Sequence, residues 1–149
     1  NYAGPKSSKG VDMKSLKGTV LDDSQAKQTG HWTESGAAKK FIGDGYIHDG
    51  NASKGEMTQT FVTALPKPGK YEVRLAYAPN NNRATNVPVT IRHASGEATV
   101  TVNERKPAPL DDLFISLGSF EFGSEASVTI SNTGTDGHVV VDGVQFIAE

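Results

Sequence analysis

The side chains best suited to chemistry in this chain are amides, arginines, carboxylates and imidazoles. They fall at Asn80, Asn81, Asn82 and Arg83, then Arg105, Asp111 and Asp112, then Asp136 and His138, with His48 and Asp49 further upstream. A hydroxyl needs a donor and an acceptor at once, so a set that offers both suits a neutral, hydroxyl-rich ligand. Asn80, Asn82, Arg83, Arg105, Asp111, Asp112 and His138 are therefore candidate ligand contacts, and Phe114 is a candidate apolar platform for a ring. The alternative for Asn80-Asn81-Asn82-Arg83 is a solvated turn with Asn at left-handed positions.

Catalysis is poorly supported. There is no Gly-x-Ser-x-Gly elbow, no His-Glu-x-x-His, no phosphate-binding loop and no dinucleotide fingerprint. His31, His48, His93 and His138 each stand alone in sequence. Asp111 and Asp112 have the residue type of a glycosidase acid pair, but neighbours on one loop do not define the separation such chemistry needs across a substrate. The chain reads as non-enzymatic, with no cofactor required.

Oxygen donors are plentiful and cysteine is absent, which favours calcium over a transition metal. Asp49-Gly50-Asn51-Ala52-Ser53 places oxygens at positions one, three and five of a calcium-loop pattern, which then fails at Lys54 and Thr60. Asp142 shares a strand face with Val140, Val144 and Phe146 and so points toward a core. A buried carboxylate must be paired or hydrogen-bonded. Asp142 either accepts hydrogen bonds or helps to hold a structural ion with Asp22 or Asp23.

The elements that position these groups are strands. Apolar residues alternate with period two in 56–63, 71–77, 87–94, 97–104, 113–122 and 126–132. The last run, 139–147, is apolar on both faces near its start, which places it inside a sheet. In 113–122 the apolar phase switches across Gly118, predicting a β-bulge. Short strands span 19–21 and 31–33, and the Gly-rich stretch 35–51 reads as strand ends or loop. Trp32 reads as a packing residue. Turn signals at Pro66–Gly69, Ser95-Gly96, Gly123-Ser124 and Asn132–Gly134 complete the pattern of an all-β, two-sheet antiparallel, jelly-roll-like β-sandwich. If successive strands run antiparallel, the loops 79–86, 105–112 and 133–137 gather at one end, joined by 48–55.

Residues 1–17 are rich in Gly, Ser and Lys and read as a flexible linker or arm ahead of a sandwich module at 18–149. The first residue is Asn rather than Met, as in a mature product or a piece of a longer polypeptide. The formal net charge of −2 argues against nucleic-acid binding. No apolar run approaches the roughly 20 residues of a membrane span, so membrane insertion is not expected. Lysines crowd the front, whereas no Lys or Arg follows Lys106, which reads as two differently solvated faces or as an electrostatic docking feature.

The blocks GHW (30–32), PGKYEVRLAY (68–77), NRATNVPVTIRHASG (82–96), TVTVNE (99–104), LFISLGSFEF (113–122) and SVTISNTGTDGHVVVDGVQF (127–146) occur in an order that resembles the golvesin and xanthan-lyase C-terminal type of module, described as carbohydrate-binding-like. The resemblance runs from about Val20 to Ile147. It implies a non-catalytic β-sandwich accessory to a larger secreted or surface protein, with a polysaccharide or glycan and the parent-protein domains as partners. Asn82, Arg83, His93, Asn103 and Asp142 match the family's motif positions. Many relatives carry Trp where this chain has Phe114, which keeps an aromatic surface. His93 reads as structural, and Asn82 and Arg83 either contact ligand or hold the loops 105–112 and 133–137 together. The alternative function is a structural or protein-interaction domain that packs on its parent protein or in a surface assembly.

Overall fold

The computed structural model describes residues 10–149. Chain order is β1 (Gly10–Val11), β2 (Thr19–Asp22), β3 (Lys27–Thr29), β4 (Thr33–Ser35), β5 (Phe41–Ile42), β6 (Tyr46–His48), β7 (Thr58–Ala64), β8 (Gly69–Ala76), β9 (Val87–His93), β10 (Gly96–Val102), β11 (Phe114–Phe122), β12 (Glu125–Ser131), β13 (Val140–Val141) and β14 (Gly143–Ala148). Two principal antiparallel sheets form the sandwich. One has five strands in the order β10-β9-β12-β7-β3, the other four in the order β11-β8-β14-β2. A three-stranded sheet, β13-β6-β4, and a parallel pair, β1-β5, flank them.

Alternation explains the packing. From the five-stranded sheet Phe61, Val87, Val89, Ile91, Ala126, Val128 and Ile130 point inward, and from the other Tyr71, Val73, Leu75, Val144 and Phe146 meet them in one buried cluster. In the five-stranded sheet the intervening residues, such as Thr60, Thr90, Arg92, Ser127 and Thr129, are mostly polar and partly or fully exposed, as expected for a sheet wet on one side. The expected bulge is present: the β11 register on β8 shifts between Ser116 and Gly118, and Gly118 has φ +111°, a backbone conformation few other residues tolerate. Trp32 is buried in the core with its indole N–H donated to the Thr29 carbonyl at 3.1 Å. His93 stacks on Phe120 at 5.0 Å between ring centroids.

The run 139–147 is not one strand. It breaks at Asp142 into β13, paired with β6, and β14, held between β8 and β2. Asp142 sits at the crossing, where its N–H donates to the Ala76 carbonyl at 3.0 Å.

The N-terminal reading needs correction over 10–17, while 1–9 lie outside the described residues. Gly10–Val11 pairs with Phe41–Ile42, and Met13–Ser15 form a 3-10 turn capped by Asp12. Val11, Met13 and Leu16 pack with Val20 and Leu110 against a second buried cluster of Ile42, Ala76, Leu113 and Phe114. This segment covers the outer face of the four-stranded sheet, and its few apolar residues are enough to hold it there. A chain starting at Gly18 uncovers that cluster, and we expect it to lose about 2–4 kcal/mol in urea unfolding; an unchanged midpoint would show that the segment contributes nothing.

Candidate functional site

The loop end of the sandwich is organised by buried polar side chains. Asn132 is fully buried. Its Oδ1 accepts from the Gly55 and Met57 N–H groups, and its Nδ2 donates to the Ala52 and Ser53 carbonyls and to Asp49 Oδ2 at 3.0 Å. Asp49, also buried, accepts from the N–H groups of Asn51 and Val139 and from Lys54 Nζ at 2.8 Å. Burial opposes ionisation of Asp49, but Lys54, the two N–H groups and the Asn132 amide outweigh it and hold the carboxyl below its ordinary value. Lys54 also donates to the Gly137 carbonyl at 2.7 Å. Loops 49–57 and 132–139 are thus one unit.

A second set of bonds fastens 79–86 to its neighbours through the backbone. His138 N–H donates to the Asn82 carbonyl at 3.0 Å, and Ala84 N–H to the His138 carbonyl at 2.8 Å. Glu104 N–H donates to the Ala84 carbonyl at 2.9 Å, and Arg105 Nε to the Arg83 carbonyl at 2.6 Å. Asp136 accepts from Thr85 N–H at 2.7 Å and its hydroxyl at 2.6 Å. Gly137 makes the close approach possible: a Cβ there would lie 2.7 Å from the Arg83 carbonyl carbon and oxygen and 2.8 Å from the Asn82 oxygen. The loop-holding role weighed for Asn82 and Arg83 is therefore performed by their main chain.

The loops enclose a cleft of about 900 Å³. Of the expected contacts, Asn80, Asn82, Arg83, Asp112 and His138 line it. Arg105 and Asp111 do not. Arg105 braces the Arg83 carbonyl, and Asp111 and Asp112 form a tight turn, φ 59° and 56°, closed by Leu113 N–H on the Leu110 carbonyl. The Asp111 carbonyl accepts from Lys40 Nζ at 2.6 Å. Phe114 is a correction. It does lie on the opposite face from Ile115, but the 10–17 segment and Ile42 cover that face, leaving Phe114 fully buried with no surface for a ligand.

The opposite wall comes from residues that the sequence reading took for strand ends and loop. Tyr46 and His48 alternate with Ile47 on β6, and Lys39 and Lys40 precede β5; all four side chains line the cleft. The signal for the first pair was the period-two spacing within Tyr46-Ile47-His48. Arg83 forms the floor: it is 8% exposed, its Nε donates to the Ala78 carbonyl at 2.8 Å, and its guanidinium carbon lies 6.0 Å from the Tyr46 ring centroid. Its Nη1 donates to Asn82 Oδ1 at 2.9 Å, so the Asn82 NH2 remains to donate to a ligand.

The two cleft imidazoles meet edge to face, centroids 5.7 Å apart. Burial, followed by the nearby His138 and Arg83, holds His48 below its ordinary pKa and so neutral at physiological pH. His48 Nδ1 accepts from Gly50 N–H at 3.0 Å, which assigns the proton to Nε2. His138 Nδ1 lies 3.3 Å from the Asn82 carbonyl, which can only accept, so Nδ1 carries a proton.

Behind this wall Glu104 is fully buried, with Oε1 accepting from Val140 N–H at 2.7 Å and Oε2 lacking a hydrogen-bond partner among the described residues. Burial pushes its carboxyl up to about 8, against the opposing effects of Val140 N–H and Arg83.

These features define a class: an all-β sandwich with a polar cleft built from the loops at one end. The particular family follows from comparison. The Golvesin C-terminal domain profile matches residues 19–148, and the chain belongs to that family. It is 38% identical over 132 residues to xanthan lyase of Bacillus sp. (strain GL1), covering 85% of this chain and 14% of that protein. The solved Paenibacillus xanthan lyase superposes with a TM-score of 0.81 at 34% identity over 87% of this chain and 13% of that one. The Podospora anserina GH26-CBM35 β-(1,4)-mannanase shares the fold, with a TM-score of 0.64 at 14% identity over 88% of this chain and 27% of that chain. This chain thus corresponds to a small part of each.

Two outcomes are expected. Gly137→Ala forces backbone apart and should lower stability by about 2–4 kcal/mol in denaturant titration; a neutral result would mean the clamp yields freely. Glu104 has a folded pKa above its unfolded one, so the folded state holds the extra proton and stability falls as pH rises from the ordinary Glu range through about 8. Glu104→Gln mimics the neutral acid, and its stability advantage over wild type should open across that window. Parallel pH profiles would contradict burial of a neutral carboxyl.

Proposed function

We propose that this domain is a non-catalytic, carbohydrate-binding accessory module of a larger secreted or cell-surface protein, and that the loop-end cleft holds a polysaccharide. The observation that carries the reading is the polar lining of the cleft, where the edge-to-face His48 and His138 rings and the Asn82 amide share one preformed surface. A sugar hydroxyl must both give and receive a hydrogen bond, and the cleft lining supplies imidazole, amide, ammonium and carboxylate groups on loops that the main chain already fixes. Pre-organisation matters because affinity is lost wherever a site must be ordered on binding. Asn80 and the Lys39 and Lys40 ammonium groups add donors at the rim and Asp112 adds an acceptor.

The kinship with xanthan lyases supports a polysaccharide as the ligand and an extracellular setting. So does the shared fold of a mannanase that carries a CBM35 and of the Phanerochaete chrysosporium exo-β-1,3-galactanase solved with β-1,3-galactotriose. The cleft also lacks the arrangement that hydrolysis would use. Its lining includes one carboxylate, Asp112, and no second acid across from it among the described residues. The module's task is retention, keeping a catalytic or surface partner near its polymer.

Affinity electrophoresis through gels containing neutral or anionic polysaccharides tests this. Wild type should be retarded by at least one polymer, and Asn82→Ala, His48→Ala and His138→Ala should each weaken retention about tenfold, the worth of one good hydrogen bond, with melting temperatures nearly unchanged. Retention that survives all three changes would move the site elsewhere. A wild type retarded by no polymer would favour packing on the parent protein.

A further inference from the structure

Away from the cleft lining, three carboxylates converge beside Ile42 and Gly43. Asp22 closes β2, Asp23 opens the 3-10 turn that follows, and Asp142 stands at the break between β13 and β14. Each offers an oxygen, and these lie within 4.8 Å of one another. The register fixes the meeting: Gly143 pairs with Asp22, and Asp23 N–H donates to the Asp142 carbonyl at 2.9 Å.

Their hydrogen bonds leave oxygens over. Asp142 is 1% exposed; its Oδ2 accepts from Ile42 N–H at 2.8 Å, while Oδ1 is buried with no partner among the described residues. Asp22 Oδ2 accepts from Ser24, and Asp22 Oδ1 is likewise buried and unpartnered. None of the ion pairs among the described residues reaches the three acids. Like charges at this separation in a dry setting cost several kcal/mol unless a cation or protons neutralise them.

We propose that Asp22, Asp23 and Asp142 bind a calcium ion that ties β2, the β13–β14 crossing and the end of β5 together. The donor set is oxygen only, which selects a hard cation. Calcium takes six to eight oxygens at roughly 2.3–2.6 Å in irregular geometry, so two of its ligands are at most about 5 Å apart, a limit the three carboxylates meet. Magnesium demands a tighter octahedron and keeps its waters, so it is the weaker competitor. The two unpartnered oxygens supply the first ligands, and solvent and nearby carbonyls supply the rest. None of the three acids lines the cleft.

The test uses the whole chain. After chelation and desalting, calcium chloride is titrated in by calorimetry and by thermal unfolding, with magnesium chloride in parallel. One calcium per chain is expected, and at about a hundredfold excess over Kd the melting temperature should rise by roughly 5–10 °C, with a smaller rise for magnesium. Asp142→Asn keeps an acceptor for Ile42 N–H but removes the charge. It should abolish the calcium response, and because it relieves repulsion it should melt above the chelated wild type. No binding to the wild type at millimolar calcium would overturn the proposal. A calcium response retained by both Asp142→Asn and Asp22→Asn would overturn it equally, by placing the ion elsewhere. If a variant fails to fold, the wild-type stoichiometry and melting shift still decide.

Discussion

The loop end depends on a single buried constraint: Asn132 and Asp49 must satisfy each other and the backbone of two loops at once. Asn132 takes two N–H groups, gives to two carbonyls and reaches Asp49, which in turn takes two further N–H groups and Lys54. Buried amides and carboxylates tolerate no half-measures, because a polar group left unpaired away from water costs about 1–3 kcal/mol. The network therefore specifies one loop arrangement. It fixes Val139 and Gly137, and Gly137 fixes the approach of 82–84, on which the cleft is built.

This division of labour explains why the cleft can present side chains. Backbone atoms of Asn82, Arg83 and Ala84 hold the neighbouring loops, so the Asn82 NH2 and the His138 Nε2 are not consumed in holding them. Arg83 stands between the two roles. Its guanidinium is mostly spent on Ala78 and Asn82 and lies against Tyr46, so it shapes the floor rather than serving as a free cation.

The strands were legible because one face of each is wet and the other dry, which writes a period of two into 56–63, 71–77 and 126–132. The bulge was legible because Gly118 coincides with a phase change. Loop clustering followed from antiparallel parity alone. What escaped was anything decided by a covering element. Alternation places Phe114 opposite Ile115 but does not say whether that face meets solvent, and the segment that covers it, 10–17, has only Val11, Met13 and Leu16 among Gly, Ser and Lys. The same omission made one error into two. Arg105 and Asp111 escaped for a different reason: residue type marks them as polar loop positions, while the path of the loop backbone decides that they brace and turn.

The wall of the cleft joins the two halves of the molecule. Asp142 binds the N–H of Ile42, the adjacent Phe41 packs on Tyr46 with centroids 5.9 Å apart, and Tyr46 lines the cleft and meets Arg83. A short strand such as β5, with two residues and one parallel partner, has little stability of its own. It is held on one side by the N-terminal segment and on the other by a buried carboxylate. Residues far from the cleft in sequence, at 10–17 and at 142, thus set the position of Tyr46. The wall against which a ligand would rest is only as firm as the burial of Asp142 beneath it.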